Sequence, residues 1–507
     1  MTGRDPCPGI LDQTGAVTRP NILFVTLDQF RGDCLSVAGH PVVRTPNLDR
    51  LAASGVRLGR HYSQATPCSP GRACLYTGTY QLNNRVVSNG TPLDDRFDNV
   101  ARAALRAGYE PALWGYTDQG IDPRHADGPN DPRLDTYEGI LPGFDVELGL
   151  PSHHRPWRRW LEELGYERMS AEAALETEPD RPAEHGVSAF LTDRLIAWIG
   201  QQDRPWFAHA SYLRPHPPYA AAGRWSTFYD DADVGDPIEP VADPHPLHRA
   251  ALGNSVSAAP GDPVEMRHLR RQYFGMISDV DEQLGRVLDT LRASGVWDDT
   301  YIVVTADHGE QLGDHGLQQK LGWFEESHHV LGIVRDPAPQ ADVSRGTVID
   351  RFTENVDVFP TLCDAMGIEV PVQCDGVPLT PLVHGDEPPW WRDAAHWEFD
   401  WRDTMLGAGP HAWPWDQRLE RQHLAVRRTD SLAYVQFGNG SWKCFDLASD
   451  PTWRTEITDP SVVLPEAQAM LTWRSRHADR TWTGMHLGPH RLGRWPAELA
   501  ADAGIPS

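Results

Sequence analysis

Short apolar runs separated by helical segments constrain the fold of this chain more than any other feature. Residues 21–27 and 301–306 are continuous apolar runs, the pattern of parallel strands that are buried on both faces. Residues 110–115 and 206–213 are predicted to be further strands. This alternation of strands and helices predicts an α/β fold with a large, mostly parallel mixed sheet flanked by helices.

Helices are predicted from the spacing of apolar residues and from the residues at helix ends. Thr45 is placed to cap a short helix, Pro46 fits its first turn, and Gly55 ends it. Residues 119–185 are expected to form a polar excursion over the functional face of the sheet, and residues 220–262 are expected to form a second polar excursion. The predicted helices cover residues 45–55, 97–107, 187–199 and 269–291.

The pattern changes near residue 390. Short alternating runs at residues 424–427, 433–437 and 442–447 predict a small antiparallel sheet. A helix near residues 464–477 and an irregular, tryptophan-rich tail are expected to follow. We therefore divide the chain into a large domain, residues 1–389, and a C-terminal subdomain, residues 390–507.

The net charge of −25 narrows the classes of partner. Nucleic acids and anionic membranes repel a strongly acidic protein, so neither is expected as a partner. No apolar segment is long enough to span a membrane, and residues 1–20 lack the basic start and apolar run of a signal peptide. The seven cysteines are scattered without CxxC pairs, which favours a reduced, cytoplasmic protein over a disulfide framework.

Metal-ligating residue types follow two of the predicted strands. Asp28 and Gln29 come directly after the first apolar run, and Asp307 and His308 come directly after the last. In open α/β sheets, ligand groups collect beyond the carboxyl ends of the strands. Either pair alone is weak evidence, because Asp is common in turns. Together with a nucleophile, the two pairs suit a single hard divalent cation, which prefers oxygen-rich ligands.

A cysteine lies where a loop is predicted to become a helix. Residues 66–72 read Thr-Pro-Cys-Ser-Pro-Gly-Arg and run directly into a helical segment. A group at this place faces the positive end of the helix dipole, which suits a reactive side chain or a bound anion. A lone cysteine is more often a small buried hydrophobe. Pro70 and Arg72, at fixed offsets from Cys68, favour the functional interpretation.

The Cys-x-Pro-x-Arg segment resembles the signature of the sulfatase family of the alkaline phosphatase superfamily. Within that family, Gln29 and the His-Trp-Glu-Phe-Asp run are most similar to the phosphonate monoester hydrolase/arylsulfatase branch, because many other sulfatases have Asp at the position of Gln29. The resemblance implies that residues 1–389 form an alkaline phosphatase-like catalytic domain. The matching segments are residues 19–21, 27–33, 39–41, 45–49, 68–72, 214–219, 305–310, 313–315, 396–400 and 450–451.

In this family the signature cysteine is oxidised after translation to formylglycine, and the resemblance implies the same for Cys68. It also implies that Arg72 supports the formylglycine diol, and that Lys320 and His216 contact the substrate oxyanion and the leaving-group oxygen. The divalent metal ion (Ca, Mn, Mg or Zn) is then expected to be held by Asp28, Gln29, Cys68, Asp307 and His308.

Three further positions correspond to the substrate pocket of this branch. Asn89 and Tyr116 match residues that line it. Asp118 departs from the pattern, because a hydroxyl residue is usual there, and its role is not assigned. The excursions at residues 119–185 and 220–262 are expected to select the substrate.

The resemblance implies a metal-dependent hydrolase of phosphonate monoesters that also accepts phosphodiesters and sulfate monoesters. A metal-activated hydroxyl of the formylglycine diol would attack phosphorus or sulfur in line, and the second hydroxyl would then expel the product. The expected partners are a small anionic ester substrate, a formylglycine-generating enzyme, and further copies of the chain in a homotetramer.

Other functions fit parts of the same pattern. A dedicated sulfatase, acting on an aryl or small-molecule sulfate ester, would use the same residues. A two-metal phosphatase or mutase needs further His and Asp ligands, and the chain has no Asp-x-x-x-His spacing. A degenerate scaffold that only binds would lack at least one functional residue, and five are present: Asp28, Cys68, Arg72, Asp307 and Lys320.

Two groups of residues remain outside these assignments. His328 and His329 interrupt a run in which relatives usually have Arg-Val-Pro-Leu-Ile, and we interpret them as strand-entry residues in preference to site residues. Trp473, Trp482 and Trp495 lie in a stretch with little core pattern. Because exposed aromatic patches usually mark contacts, they predict oligomerisation through the C-terminal tail.

Overall fold

The computed structural model describes residues 10–11, 17–402, 421–479 and 483. Two short strands, β1 (Ile10–Leu11) and β2 (Val17–Thr18), pair with each other near the N-terminus. An eight-stranded sheet forms the centre of the molecule. Its strands are β3 (Asn21–Leu27), β4 (Val56–Tyr62), β5 (Pro111–Gly115), β6 (Asp145–Gly149), β7 (Phe207–Tyr212), β8 (Thr300–Thr305), β9 (Gly332–Arg335) and β10 (Thr347–Glu354).

The order of strands across this sheet is β10-β4-β9-β8-β3-β7-β5-β6. Among these described strands, β9 alone runs antiparallel to its neighbours, so the sheet is mixed but mostly parallel. The central strand β3 pairs in parallel with both β7 and β8. The carboxyl ends of these three strands therefore lie side by side at one edge of the sheet.

Helices cover both faces of the large sheet. The side chains of β3 alternate between the faces: Leu23 and Val25 pack in the cluster that contains the long helix α9, and Ile22 and Phe24 pack in the cluster on the opposite face. The helices are α1 (Pro46–Ser54), α2 (Cys68–Thr77), α3 (Gln81–Asn84), α4 (Val100–Arg106), α5 (Arg155–Glu163), α6 (Ala171–Glu176), α7 (Val187–Ile199), α8 (Pro246–Leu252), α9 (Pro263–Ala293), α10 (Val358–Met366), α11 (Thr380–Val383) and α12 (Pro460–Arg476).

A second, four-stranded antiparallel sheet follows in the chain and packs beside the first. The Tyr62 ring at the end of β4 stacks on Trp397 with 5.6 Å between centroids, and the Glu398 amide donates to the Gln64 carbonyl at 2.9 Å. These contacts join the two sheets, and the predicted fold class is confirmed. The boundary at residue 390 stays a prediction. The strands, in sheet order, are β11 (Ala395–Asp400), β12 (His423–Arg428), β13 (Leu432–Phe437) and β14 (Trp442–Asp446).

Seven of the described strands were not predicted from apolar periodicity: β1, β2, β4, β6, β9, β10 and β11. Strands β4, β6 and β10 carry charged residues among their apolar ones, and β10 and β6 are the two edge strands of the large sheet. An edge strand has one open side, so charged residues are tolerated there and the apolar signal is weak. Strand β9 is only four residues long.

Side-chain caps explain why two helices begin away from their predicted positions. Helix α4 begins at Val100 because the Asn99 side chain accepts hydrogen bonds from the backbone N–H groups of Ala101 and Arg102. Helix α12 begins at Pro460, because the Asp459 side chain accepts a hydrogen bond from the backbone N–H of Ser461. Such caps depend on the residue just before the helix, so the helix begins at a residue that the spacing of apolar side chains does not mark.

The expectation that Trp473 is an exposed contact residue is wrong. Trp473 is only 6% exposed, and its ring stacks on His396 at 4.5 Å and meets Tyr80 edge to face at 4.9 Å. It therefore anchors α12 to the body of the protein. Trp482 and Trp495 lie outside the described residues, and oligomerisation stays a prediction.

None of the helices within the described ranges combines the length and the apolar character needed to cross a membrane.

The packing of α9 gives a test of this core. Leu284 in α9 is fully buried, whereas Leu471 in α12 is 66% exposed. We expect Leu284→Ala to lower the free energy of unfolding by about 2–5 kcal/mol, because it leaves a cavity, and Leu471→Ala to change it by less than ~0.5 kcal/mol. Urea unfolding followed by circular dichroism measures both. Equal effects would contradict the assigned face of α9.

Candidate active site

The ends of β3 and β8 bring four metal-ligating side chains together. Asp28 follows β3, and Asp307 and His308 follow β8, which is paired with β3 through Thr26 and Thr305. Helix α2 begins at the same edge with Cys68. One ligand atom from each of these residues lies within 4.8 Å of the others: Asp28, Cys68, Asp307 and His308.

The chemistry of these donors fits a divalent cation. The Oδ1 atom of Asp28 is buried and has no hydrogen-bond partner among the described residues. The Nδ1–H of His308 donates to the Gly309 carbonyl at 3.0 Å, which leaves the Nε2 lone pair facing Cys68 Sγ at 3.3 Å. A buried carboxylate oxygen free to accept and a histidine nitrogen fixed as an acceptor are both suited to bind a cation.

The electrostatics of the two carboxyl groups support this interpretation. Burial, together with the charge of Asp28, raises the pKa of Asp307 to about 6. Burial by itself would raise the pKa of Asp28, because it disfavours the ionised carboxylate. Nearby positive groups, including Arg72 and Lys320, outweigh burial and hold the pKa of Asp28 below its usual value. Two buried carboxyl groups this close repel each other, and a cation between them would remove that repulsion.

Arg72 holds both strand ends. Its guanidinium is fully buried and donates to Asp307 Oδ2 at 2.8 Å and to Asp28 Oδ2 at 3.0 Å. The remaining N–H groups donate to Ser211 Oγ at 2.8 Å and to the Tyr116 carbonyl at 3.2 Å. The planar, five-donor guanidinium can serve all these acceptors at once, which lysine cannot do.

Glu310 fixes the orientation of the Gln29 amide. The Glu310 carboxylate accepts a short hydrogen bond from Gln29 Nε2 and another from Tyr219 Oη at 2.8 Å. The amide oxygen of Gln29 therefore points to the other side, where it accepts from Lys320 Nζ at 2.8 Å. Glu310 lies within the family-like segment 305–310, but the sequence assigned it no function. Only its position three residues after Asp307 indicated that it could lie near the site.

Lys320 and His216 contact each other beside Gln29. The distance between Lys320 Nζ and His216 Nε2 is 2.9 Å, and His216 Nδ1–H donates to the Pro217 carbonyl at 2.8 Å. Burial and the positive charge of Lys320 lower the pKa of His216 to about 4, so the imidazole is neutral near pH 7. Burial by itself would lower the pKa of Lys320, but the negative groups around it raise this pKa above its usual value. The Lys320 ammonium is therefore the donor in its hydrogen bond with His216.

Of the three predicted pocket residues, Tyr116 and Asp118 line the cavity in front of Cys68, whereas Asn89 contacts helix α2. Tyr116 Oη donates to Asp28 Oδ2 at 2.7 Å and lines the cavity in front of Cys68. Asn89 contacts the first turn of α2, where its Oδ1 accepts from the Ser69 amide at 3.0 Å. Asp118 is 5% exposed and lies in the cavity wall in a left-handed conformation with φ of 50°.

A cavity of about 250 Å³ opens in front of these residues. Its lining includes Cys68, Asp28 and His216, together with residues between 137 and 175 of the first excursion. The expectation that this excursion faces the site is therefore confirmed. Residues 220–262, although fully described, contribute nothing to the wall of this cavity.

His328 and His329 are structural residues, as the preferred interpretation held. The His328 ring stacks on Trp397 at 4.9 Å, and its two nitrogens lie 3.3 Å and 3.4 Å from the carbonyls of Ser63 and Gly322. His329 Nε2 lies 3.3 Å from the Gly59 carbonyl. These contacts join the strand β9 region to β4.

Replacement of Asp28 gives a test of the candidate metal centre. We expect Asp28→Asn to weaken the binding of a divalent cation by more than ~100-fold, because even loss of an outer-shell partner of a ligand costs 10–100-fold. Asp289→Asn, which removes the same charge at a carboxylate 60% exposed in α9, is the matched control and is expected to bind metal normally. Metal content by mass spectrometry and calorimetric titration measure both. Equal metal binding by the two variants would exclude Asp28 as a ligand.

Comparisons with known proteins agree with this arrangement. A model of the sulfatase family matches residues 20–368, more than half of the chain, and a model described as N-sulphoglucosamine sulphohydrolase, C-terminal, matches residues 313–473. The multifunctional alkaline phosphatase superfamily protein PehA of Trinickia caryophylli is 34% identical over 514 residues, which cover 94% of this chain and 99% of that protein.

Two solved structures are similar along nearly the whole chain. The phosphonate monoester hydrolase of Agrobacterium radiobacter superposes with a TM-score of 0.85 at 40% identity, covering 94% of this chain and 100% of that one. The phosphonate monoester hydrolase from Silicibacter pomeroyi gives 0.82 at 32% identity, with 94% and 99% covered. The chain therefore belongs to the sulfatase family of hydrolases, in the alkaline phosphatase superfamily, and within it groups with the phosphonate monoester hydrolases and PehA.

Proposed function

We propose that this protein is a metal-dependent hydrolase of phosphonate monoesters, phosphodiesters and sulfate monoesters, with Cys68 converted to formylglycine. The observation that carries the proposal is the position of Cys68 at the start of α2, within 4.8 Å of three further metal-ligating side chains and at the end of a cavity. The similarity of the whole chain to phosphonate monoester hydrolases and to a multifunctional relative supports the range of substrates.

The metal would be held by Asp28, Asp307, His308, the modified residue 68 and the amide oxygen of Gln29. The Gln29 oxygen has a second lone pair besides the one that accepts from Lys320. When bound, a divalent cation supplies positive charge that polarises the ester oxygens and acidifies a coordinated hydroxyl. Formylglycine, as its hydrate, supplies that hydroxyl, which a cysteine thiol held protonated by burial does not offer.

The remaining site residues position and neutralise charge. Arg72 keeps the carboxylates of Asp28 and Asp307 aimed at the same point. The Lys320 ammonium, held against His216, is placed to stabilise a nonbridging oxygen and to donate a proton toward the leaving-group oxygen. His216, neutral and fixed by the Pro217 carbonyl, accepts from Lys320 and keeps that ammonium in place.

A dedicated sulfatase is the second candidate. The family model that matches residues 20–368 is that of sulfatases in general, and the residues around Cys68 serve sulfate and phosphonate esters alike. A two-metal phosphatase is not favoured, because the described residues contain one cluster of His, Cys, Asp and Glu suited to a metal. The proposal also includes a formylglycine-generating enzyme as maturation partner, a homotetrameric assembly and a cytoplasmic location.

The substrate preference tests the proposal directly. We expect kcat/KM for an aryl phosphonate monoester and an aryl phosphodiester to exceed that for the matched sulfate and phosphate monoesters. Cys68→Ala is expected to lose at least ~10³-fold in kcat/KM on every ester, because the attacking group is removed. A sulfate that leads by orders of magnitude would establish the dedicated sulfatase instead.

The modification of Cys68 is checked on the same protein. Mass spectrometry of the peptide that contains residue 68 is expected to show loss of sulfur and gain of an aldehyde in active enzyme. An intact thiol in fully active protein, or activity that survives in Cys68→Ala, would place the nucleophile elsewhere.

A further inference from the structure

The part of the cavity wall that the first excursion contributes is acidic. Glu138 and Glu172 lie in this wall. The Ser152 amide donates to Glu138 Oε2 at 2.8 Å, and Glu138 Oε1 accepts from no donor within the described part of the chain. Glu172 is exposed at the start of α6. Two carboxyl groups therefore line the part of the cavity that the excursion builds.

Asp118 lines the same cavity but lies beside the metal-ligating residues. It is 5% exposed, and its carboxyl group lies 3.7 Å from Arg72 Nε, which donates to Asp307. Burial raises the pKa of Asp118 to about 8, so this carboxyl group is mostly neutral near pH 7. The negative charge of the wall therefore comes from Glu138 and Glu172.

Among the described residues that line the cavity there is no lysine or arginine to balance these acids. Two histidines line it, and His216 is neutral near pH 7. The other, His154, is 3% exposed, and its Nδ1 has no hydrogen-bond partner among the described residues. Burial and the charge of Arg214 lower the pKa of His154 to about 3, so it is neutral near pH 7.

The rest of the wall is apolar and aromatic. Leu150, Leu175 and Leu213 line it, together with the side chain of Tyr137. Alkylated ammonium groups are bound in proteins by this combination, in which aromatic and apolar surface contacts the substituents and carboxylates supply the charge. A carboxylate or sulfate on the leaving group would instead be repelled by Glu138 and Glu172.

We propose that this pocket selects esters whose leaving alcohol carries a positively charged ammonium group, recognised by Glu138 and Glu172. The inference rests on the proposed function, because it concerns the leaving group of the same hydrolytic reaction. The substrate is then zwitterionic, with its anionic ester at the metal-ligating end and its cation at the acidic wall. This arrangement also explains how a protein of net charge −25 can favour a substrate that carries an anion.

Three phenyl esters test the proposal. A trimethylammoniomethyl and a neopentyl group at the para position have the same shape and differ in charge, and a carboxymethyl group at that position supplies a negative charge on a smaller substituent. We expect kcat/KM of the wild-type enzyme to be at least about tenfold higher for the cationic ester than for the neutral one, and lowest for the anionic one. The preference should weaken as salt is added.

Matched variants assign the effect to the wall. The ratio of kcat/KM for the cationic and neutral esters is expected to fall by about tenfold in the Glu138→Gln/Glu172→Gln double variant, since this ratio cancels the intrinsic reactivity of each ester. Glu176→Gln, which removes an exposed charge one turn along α6 outside the cavity wall, is expected to keep the wild-type ratio. A wild-type enzyme without the preference, or a preference that survives in the double variant, would overturn the proposal.

Failure of the hydrolytic proposal is distinguished by two further measurements. The same three leaving groups are tested as phosphonates and as sulfates. If only the sulfates react and the cationic ester is still preferred, the proposed selection by the wall is supported. The proposed phosphonate hydrolase activity is then contradicted. Calorimetric binding of the three free phenols gives a readout without hydrolysis. Equal affinity for the cationic and neutral phenols would overturn the proposal whichever ester reacts.

Discussion

The buried guanidinium of Arg72 is the interaction on which the site depends. It lies between Asp28 and Asp307, which follow the carboxyl ends of β3 and β8, and it belongs to the helix that begins with Cys68. Removing one member of such a buried ionic group costs about 3–5 kcal/mol, because the remaining charges lose their compensation. Because Arg72 donates to both carboxylates at once, it fixes the position of the helix relative to the two strand ends.

Close packing beside Arg72 completes this constraint. A Cβ atom at Gly71 would lie 2.5 Å from the Asp307 carbonyl oxygen, so only glycine lets α2 approach the end of β8 this closely. Cys68 and Arg72 are four residues apart on one helix and therefore lie on the same face. The spacing of the Cys-x-Pro-x-Arg segment thus has a physical reason: it presents the reactive residue and its supporting cation to the same point.

The sequence predicted the framework of the fold and most of the site, with gaps that have physical causes. The strands before Asp28 and Asp307 were predicted because strands buried on both faces are continuous apolar runs. Strands such as β6, at the edge of the sheet, were missed because charged residues interrupt them. The burial of Trp473 against Tyr80 and His396 could not be predicted, because a tryptophan near a chain end has no local signal for its partner.

By itself, the sequence determined the order of strands and helices, the residue types at the strand ends and the family resemblance, because periodicity, caps and motifs are local properties. Only the tertiary structure decided how these groups face one another. The amide of Gln29 is oriented by Glu310, 281 residues away, and the carboxyl group of Asp118 lies 3.7 Å from the guanidinium of Arg72 in α2. Both depend on contacts between segments that no local pattern relates, and so both required the folded chain.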